Sequence, residues 1–453
     1  MRLTGPLARA AYSAGMWLAQ PLLRRKLRRR AAAEPGYGEA VEERFGHYDA
    51  ALRGWAAAGP GPIIWVHAVS LGETRAAAVL IAALRERLPG LRLLLTHGTA
   101  TGRAEGLRLL QPGDRQVWQP WDTPAAVRRF LHTFRPALGL LMETEVWPNL
   151  VAGCRAQGVP LALANARLNA RSLRRAERLA VLSRAAYGGL AAVWAQHADD
   201  AERLRALGAP VQGVFGNLKF DARPDAAQWA RGRQLRAQAG RPVLLLASAR
   251  EGEEALWLEA VRVFEEKVTA AQIVPGLSAI NNIAQWLLVP RHPQRFDAVE
   301  RLLREYGIAV LRRSAWQDGV PPPSGAVWLG DSLGEMAAYY GMADVALLGG
   351  SFAPLGGQNL IEAAACGCPV VMGPSTFNFA DAATQAEAAG AAVRVADMAE
   401  AVLQATQLAQ DPARRQAAAE AATAFAAAHR GAAARTAEAA LALLGGAHRV
   451  QSA

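Results

Sequence analysis

Cysteine is scarce in this chain of 453 residues, which contains only Cys154, Cys366 and Cys368. Three cysteines cannot form the disulfide framework of a small secreted protein, and the Cys-x-Cys pair lacks the second pair of ligands that a structural zinc site needs. We therefore expect a reducing compartment and no structural metal.

Charged residues are also few. They make up 20% of the chain, against 52% hydrophobic residues, a balance that is typical of ordered globular proteins and excludes a mainly disordered chain. The length is roughly two to three times that of a usual domain, which predicts two domains. The net charge of +11 indicates an anionic partner, but it does not distinguish nucleic acid, membrane lipid and charged small molecules.

Apolar runs long enough to cross a membrane are absent as well. The apolar stretch at residues 3–23 contains Arg9, and its charge-free part, residues 10–23, is shorter than the ~20 residues of a spanning helix. A basic block follows at residues 24–30, so an interfacial helix held to anionic lipid fits better. We predict a membrane anchor over residues 1–30. A spanning anchor, which would keep the rest of the chain cytoplasmic, and a solvated basic terminus are the alternatives, while a signal peptide would carry its basic region first.

Beyond this segment, short apolar runs alternate with helical stretches in two series. This alternation predicts an α/β fold with two Rossmann-like domains, residues 31–222 and residues 223–453 with the C-terminal helices, facing each other across a cleft. Ligands of such folds bind beyond the carboxyl ends of the strands, so the loops that follow the strands are the candidates for function. The predicted strands lie at residues 63–66, 91–95, 137–141, 160–163, 193–195, 211–215, 242–247, 286–289, 308–311, 326–329, 345–348 and 369–372.

In the second half, the segment Ser332-Leu333-Gly334-Glu335-Met336 follows a strand with small residues. We expect a helix to begin here with free backbone amides, which is a favourable arrangement for binding a phosphate. The alternative is an ordinary capped helix in which Ser332 and Glu335 form a capping box.

A second glycine loop, residues 356–357, opens a helix that carries Asn359 and Glu362 on one face. A carboxylate at Glu362 can accept both hydrogen bonds of a ribose diol, although a first-turn acid that only stabilises its helix is the alternative. Arg291 and His292 lie between two prolines after a strand, where a guanidinium suits a phosphate or carboxylate.

In the first half, Glu73 follows a strand and a glycine turn at the start of a helix, a position from which it can act as a general base. The alternative is a glutamate that stabilises its own helix. Glu143 and Glu145 follow another strand, and the two acids favour recognition of a hydroxyl or amine. Lys219 is singled out because lysine is rare here, with only three in the chain.

Together these segments resemble the Kdo (3-deoxy-D-manno-octulosonic acid) transferases of lipopolysaccharide assembly, which have the GT-B glycosyltransferase fold. The resemblance covers nearly the whole chain, in the order of the family. It is carried by the apolar and basic N-terminus and by residues 65–73, 143–149, 216–221, 290–293 and 349–381.

The resemblance implies transfer of Kdo from CMP-Kdo to the 6'-hydroxyl of a lipid A precursor (lipid IVA), with inversion and without a metal or cofactor. It implies that Glu73 is the catalytic base and that Glu143 or Glu145 is the acid on the acceptor side. The partners expected with it are the donor, the lipid acceptor and an anionic lipid surface, without nucleic acid, at the cytoplasmic face of the bacterial inner membrane. The donor-binding residues that it implies are Arg291, His292, Ser332, Gly334, Glu335, Met336, Asn359 and Glu362, together with Lys219.

The sequence departs from the family at Arg250, Gln358 and Ser375, where a histidine is usual, so the geometry around the donor sugar can differ. Another GT-B nucleotide-sugar transferase, or an epimerase of related architecture, is the alternative within the enzymes. A non-catalytic binder of anionic lipid or nucleic acid is the alternative of another class, and tight salt-dependent binding of nucleic acid without the donor would favour it.

Overall fold

The computed structural model describes residues 5–270, 283–316, 319 and 325–451. The chain forms two compact units. The first ends at Asp221 and also includes the C-terminal segment from Arg430 onward, and the second runs from Ala222 to His429.

The first unit is built on a seven-stranded parallel sheet with the order β3-β2-β1-β4-β5-β6-β7. Its strands are short and nearly all buried, because helices cover both faces, as is usual for parallel sheets. They are β1 Ile63–His67, β2 Arg92–His97, β3 Arg115–Trp118, β4 Leu138–Met142, β5 Leu161–Ala166, β6 Ala192–Ala195 and β7 Val211–Val214.

Aromatic side chains fill one face of this sheet. Trp65 on β1 contacts Phe130 edge-on, with 4.9 Å between ring centroids, and Phe130 in turn packs on Phe134. The helices of the unit are Gly5–Leu18, Gln20–Ala33, Ala50–Ala57, Leu71–Arg87, Ala100–Leu107, Pro124–Phe134, Pro148–Ala156, Ala170–Arg178, Ala180–Tyr187, Ala198–Ala206 and Ala432–Gln451, with 3-10 helices at Pro35–Gly38, Val41–Phe45 and Leu218–Asp221.

The second unit repeats the plan with seven parallel strands in the order β10-β11-β9-β8-β12-β13-β14. Trp257 and Trp286 meet edge-on at 5.2 Å in its core. The strands are β8 Val243–Ala249, β9 Gln285–Pro290, β10 Val310–Arg312, β11 Val327–Leu329, β12 Val345–Leu348, β13 Val370–Met372 and β14 Ala392–Arg394. The helices are Ala226–Gln238, Glu253–Ala270, Phe296–Glu305, Met336–Met342, Leu360–Ala365, Ala380–Ala388, Met398–Gln410 and Pro412–Ala428, with 3-10 helices at Pro293–Arg295, Arg313–Ala315 and Phe377–Phe379.

Both sheets confirm the predicted α/β fold with two Rossmann-like units. Each also contains a strand that the apolar pattern did not predict, β3 in the first sheet and β14 in the second. Both lie at a sheet edge, where a strand is less enclosed and needs fewer apolar residues: β3 begins with Arg115 and Gln116, and Val393 in β14 is exposed.

The last helix differs from the expected domain boundary, which gave all residues after 222 to the second domain. Its apolar side belongs to the core of the first unit, where Ala437 and Leu444 join Leu80. The Asp221 carboxylate also accepts hydrogen bonds from the backbone N–H groups of Gly431 and Ala433. The C-terminal helix is therefore part of the first unit.

The N-terminal segment forms two helices, Gly5–Leu18 and Gln20–Ala33, instead of one continuous helix. In the described part of the chain, no helix is both long enough and apolar enough to cross a membrane. The first helix is tied to the Pro148–Ala156 helix by the Ser13 hydroxyl, which donates to Asn149 Oδ1 at 2.9 Å. The second buries Leu27 against Tyr37 and Trp118.

The strand order reverses once in each sheet. In the first sheet, β2 and β3 lie on one side of β1, and β4 lies on its other side. In the second sheet, β9 and β12 likewise lie on opposite sides of β8. Loops that leave such a switch point in opposite directions open a crevice at the carboxyl ends of the strands, which is the usual ligand site of doubly wound sheets. The loops after β1 and β4 in the first unit, and those after β8 and β12 in the second, are therefore the candidate ligand-binding loops of each unit.

Candidate active site

Glu73 lies directly beyond β1, in the first turn of the Leu71–Arg87 helix. Ser70 is the N-cap, and its Oγ accepts from the Glu73 N–H at 3.4 Å. The Glu73 carboxylate accepts from the Val69 N–H at 2.9 Å and from the Ser70 hydroxyl at 3.1 Å. This arrangement is similar to a capping box, but the glutamate accepts from the residue before the N-cap. Glu73 therefore does stabilise the start of its helix.

A capping role alone does not account for the electrostatics of Glu73. Burial, together with the nearby carboxylates of Glu143 and Glu145, raises its pKa to about 7, against the opposing effect of the hydrogen bonds from Val69 and Ser70. A carboxyl group with a pKa near neutrality is suited to take a proton in a reaction at neutral pH. The side chain can therefore stabilise its helix and still act as a base.

Glu143 is the first residue after β4, on the other side of the switch point. Its φ of 58° lies in the left-handed region, which is unfavourable for a residue with a long side chain and is often found at functional sites. The side chain is buried, with Arg167 Nε 3.0 Å from Oε2 and Lys219 Nζ 4.0 Å from Oε1. Two cations thus hold this carboxylate in place.

Glu145 lies two residues further along the same loop. Its Oε2 accepts from Trp147 Nε1 at 2.9 Å. Burial raises its pKa, and the charge of Glu143 raises it further, while the Trp147 hydrogen bond lowers it. The structure therefore brings all three sequence-predicted acids together at the switch point of the first sheet.

Lys219 belongs to this acidic cluster in the structure. It lies in the Leu218–Asp221 3-10 helix of the first unit, beside Glu143. The sequence interpretation had grouped it with the donor-binding residues of the second domain. Its neighbourhood instead makes it a partner of the Glu143 carboxylate within the first unit.

At the switch point of the second sheet, the backbone approaches itself closely. A Cβ added to Gly349 would lie 2.4 Å from the Ser248 carbonyl oxygen, so only glycine fits there. Ser248 itself has a φ of 54°, again in the unfavourable left-handed region. The ends of β8 and β12 are therefore held in a strained, close arrangement.

A fully buried carboxylate, Glu253, supports this arrangement. It accepts hydrogen bonds from the backbone N–H groups of Arg250 at 2.8 Å, Gly350 at 2.7 Å and Phe352 at 3.1 Å. One side chain thus fixes the loop after β8 and the loop after β12 to each other. The sequence analysis assigned no role to this acid.

Basic side chains surround the same loops. Arg291, after β9, donates from Nε to Gln358 Oε1 at 3.2 Å. Arg295 forms two hydrogen bonds to the buried Glu254 carboxylate, at 2.8 and 2.9 Å. His292 is exposed, and its pKa is lowered by partial burial and by the charges of Arg250, Arg291 and Arg295. The region is therefore positively charged and favours an anion.

The segment at residues 332–336 differs from its prediction, because the helix begins at Met336 and not at Ser332. Ser332 is not an N-cap; its hydroxyl donates to Glu335 Oε2 at 2.5 Å and contacts the Tyr339 hydroxyl at 2.5 Å. Gly334 has a φ of 80°, which interrupts a right-handed helix. The predicted helix start at Ser332 is therefore wrong, and so is the alternative of a capping box formed by Ser332 and Glu335.

These residues still lie near the switch point. The sulfur of Met336 accepts a contact from the Ser248 hydroxyl at 3.8 Å. Glu335 is the residue before the helix and pairs with Arg313 at 3.2 Å. The segment is thus an ordered loop that joins the end of β11 to the site.

Asn359 and Glu362 form a unit at the start of the Leu360–Ala365 helix. Asn359 is the N-cap, with Oδ1 accepting from the Ile361 N–H at 3.1 Å, while its Nδ2 donates to Glu362 Oε1 at 3.0 Å. Glu362 is exposed, so its carboxylate is held in place and remains accessible. Such a carboxylate can accept hydrogen bonds from a hydroxyl pair.

Other contributors were missed by the sequence interpretation, notably Glu254, Arg295 and Arg313. The only available signal was the run of acids at residues 251, 253 and 254 directly after a predicted strand. Among the described residues, no group of three or more His, Cys, Asp or Glu side chains has an arrangement that could hold a metal ion.

Comparisons with known sequences agree on one family. Residues 39–222 match the family model for 3-deoxy-D-manno-octulosonic-acid transferase (kdotransferase). The chain is 49% identical over 442 residues to the 3-deoxy-D-manno-octulosonic acid transferase of Bordetella pertussis, covering 96% of this chain and 99% of that one. It is 32% identical over 372 residues to that of Haemophilus influenzae, covering 81% and 82%.

Solved structures agree on the fold. A glycosyltransferase from Rickettsia africae is similar with a TM-score of 0.53 at 10% identity, covering 85% of this chain and 99% of that one. A UDP-GlcNAc 2-epimerase from Neisseria meningitidis gives 0.50 at 14% identity, covering 84% and 99%. These likenesses support the GT-B organisation, and the two curated relatives show the family: the chain belongs to the Kdo transferases of lipopolysaccharide biosynthesis.

Proposed function

We propose that this Kdo transferase moves Kdo from CMP-Kdo to the 6'-hydroxyl of a lipid A precursor (lipid IVA), with inversion at the transferred carbon and without a metal. The observation that carries this proposal is the pair of switch points of opposite character. One presents Glu73 among carboxylates, and the other presents arginines and a held carboxylate at Glu362.

The acceptor hydroxyl must lose its proton as its oxygen attacks the donor. Glu73 is the base in this proposal, because a pKa of about 7 gives it both an ionised fraction at neutral pH and a useful affinity for the proton. Glu143 and Glu145 raise the proton affinity of Glu73 and hold the acceptor through its hydroxyl groups. A single base on the acceptor side corresponds to one displacement, and hence to inversion.

The leaving group is CMP, which departs as a phosphate anion and needs no proton from a general acid. In the proposal, Arg250 and Arg291 stabilise the charge that develops on this phosphate. The exposed carboxylate of Glu362 accepts from the ribose hydroxyl groups, and the loop at residues 332–336 closes around the nucleotide. Fixed cationic side chains supply the stabilisation that other transferases obtain from a metal.

We also propose that the N-terminal helices hold the enzyme to the cytoplasmic face of the inner membrane. Trp17, Leu18 and Leu22 are exposed to 64%, 68% and 68%, and arginines follow them directly. Apolar side chains beside cations suit an anionic bilayer surface. The contact of Ser13 with Asn149 connects this segment to the loop that carries Glu145, where a lipid acceptor would be received.

The test is transfer of labelled Kdo, from CMP-Kdo generated in situ, to lipid IVA dispersed in detergent. The proposal expects product that is sensitive to Glu73→Gln and unaffected by chelation of divalent ions, once the system that generates the donor has been removed. A product formed only with another nucleotide sugar would contradict the donor. Product attached at another hydroxyl, identified by NMR, would contradict the acceptor position.

A further inference from the structure

A cavity of about 550 Å³ lies in the first unit, away from the loops that follow β1 and β4. Its lining comes from the segment at residues 46–53 and from the second half of the Pro124–Phe134 helix. This volume lies within the ~300–1,000 Å³ of small-molecule sites. None of its described lining residues is acidic, and we name it the basic pocket; the side chains that matter are His47, Tyr48, Arg53, Arg128, Arg129 and His132.

Helix geometry explains why the cations converge. Arg128 and His132 are four residues apart and so lie on the same side of the helix. Both are exposed, and in the described part of the chain neither makes a hydrogen bond or ion pair. Arg53 approaches from the facing helix, where its Nη1 donates to the Tyr48 carbonyl oxygen at 2.6 Å. The pocket thus combines one anchored guanidinium with the side chains of Arg128 and His132, which have no partner among the described residues.

Buried polar atoms in the wall add a second observation. The Tyr48 side chain is 6% exposed, and its hydroxyl has no hydrogen-bond partner among the described residues. The Nε of Arg129 is likewise buried without a partner, although its Nη2 donates to the Phe45 carbonyl oxygen at 2.5 Å. Buried donors without partners are costly and rare, and both of these donors belong to residues that line the basic pocket.

The pocket also adjoins the basic N-terminal helix. The guanidinium of Arg24 lies 3.7 Å from the centre of the Phe45 ring. The carbonyl oxygen of the same residue accepts the hydrogen bond from Arg129 Nη2. A groove of about 470 Å³ on the same helix is lined by Arg24, Leu27 and Arg28. Arg24 also pairs with Glu42 at 2.5 Å. Phe45 thus lies between Arg24 and Arg129, a residue that lines the basic pocket.

We propose that the basic pocket binds the phosphate of an anionic phospholipid headgroup, as a site separate from the one that performs the transfer. Guanidinium groups match phosphate oxygens in geometry and charge, and the volume exceeds that needed for a bare ion. The choice of a lipid source rests on the proposed location at the membrane surface. A headgroup bound here would fix the rotation of the first unit on the bilayer, which the apolar N-terminal helix alone does not fix.

The test compares two double variants of the full chain. Arg128→Gln with His132→Gln removes the two pocket side chains that have no partner among the described residues, and Arg231→Gln with Arg233→Gln removes two exposed arginines of the second unit. Co-sedimentation is measured with vesicles of phosphatidylglycerol in phosphatidylcholine. We expect the pocket variant to lose about fivefold or more in partition constant and the control to lose less than twofold. Equal losses would overturn the proposal, because they would show a general effect of charge.

A soluble headgroup analogue separates the possible ligands. Glycerol phosphate should shift the imidazole NMR signals of His47 and His132, and glycerol alone should not. Inorganic phosphate that binds as tightly, together with indifference to vesicle composition, would overturn the lipid source. Transfer to detergent-dispersed acceptor should be unchanged in the pocket variant; its loss would show that the pocket is part of the transfer site. Vesicle binding can be measured even if the proposed transfer reaction fails.

Discussion

The two sheets have the same plan but opposite electrostatics at their switch points. In the first, Glu73, Glu143 and Glu145 crowd together, and burial with mutual repulsion raises the pKa of Glu73. In the second, Glu253 and Glu254 are fully buried and bonded to backbone N–H groups or to Arg295, Glu362 is exposed, and arginines lie around the loops. We propose that these different loop residues make a proton-accepting site in one unit and an anion-binding site in the other.

The largest effect should come from breaking the acidic side. Glu73→Gln keeps the size of the side chain but removes the base, and we expect kcat to fall by about 10²–10⁴-fold with little change in donor binding. A capping role alone predicts a loss of stability instead. Steady-state kinetics with isothermal titration of CMP distinguishes the two.

A matched control for this prediction exists in the second unit. Glu400 also lies in the first turn of its helix and accepts from the backbone N–H of Ala396 at 2.8 Å, with Asp397 as the N-cap. Glu400→Gln should therefore reproduce any cost of a lost capping interaction without affecting catalysis. A similar loss of kcat in both variants would contradict the assignment of the base.

Removing the carboxylate that connects the loops after β8 and β12 should mainly affect stability. Glu253→Ala leaves the N–H groups of Arg250, Gly350 and Phe352 without their acceptor, and we expect the free energy of unfolding to fall by about 3 kcal/mol. Urea denaturation measures this change. The exposed neighbour Glu251 provides the control, since Glu251→Ala should change stability by less than about 0.5 kcal/mol.

Removing an arginine near the loops of the second sheet should weaken binding of the donor and leave binding of the acceptor unchanged. Arg291→Ala is expected to raise the KM for the donor by about tenfold to a hundredfold, the range of a charge-assisted hydrogen bond, and to leave the KM for the acceptor unchanged. Arg301→Ala removes an exposed arginine of the following helix as a control. An equal rise in both KM values would show that the two switch points are not specialised as proposed.

The smallest expected effect is a shift in the pH dependence of catalysis, caused by the acidic neighbours of Glu73. Glu73 must be ionised to act as a base, so kcat/KM should rise with pH through about 7 in the wild type. Glu145→Gln removes a negative neighbour that raises the pKa of Glu73, so this limb should move to lower pH by a fraction of a unit. Glu202→Gln, at an exposed position of the same unit, should leave the limb in place. A limb that does not move would assign the titration to another group.

Much of the fold could be predicted because its central strands are short, apolar and separated by helices. The edge strands β3 and β14 were missed because their residues are partly polar or exposed, and the helix start at Ser332 was misplaced because Gly334 adopts a left-handed conformation. The last helix was assigned to the wrong unit for a different reason. Its alanine-rich sequence packs equally well on many surfaces, and Asp221, far away in sequence, ties it to the first sheet.

By itself, the sequence determined the two series of strands, the glycine turns after them and the acids and arginines that those turns carry, because hydrophobic periodicity and turn chemistry are local properties. The tertiary structure alone decided the order of the strands, and with it that Glu73 meets Glu143 and Glu145, that Lys219 joins them, and that Glu253 connects two loops. Burial and neighbouring charge act through space, so the pKa of Glu73 could not be predicted from its position in the chain.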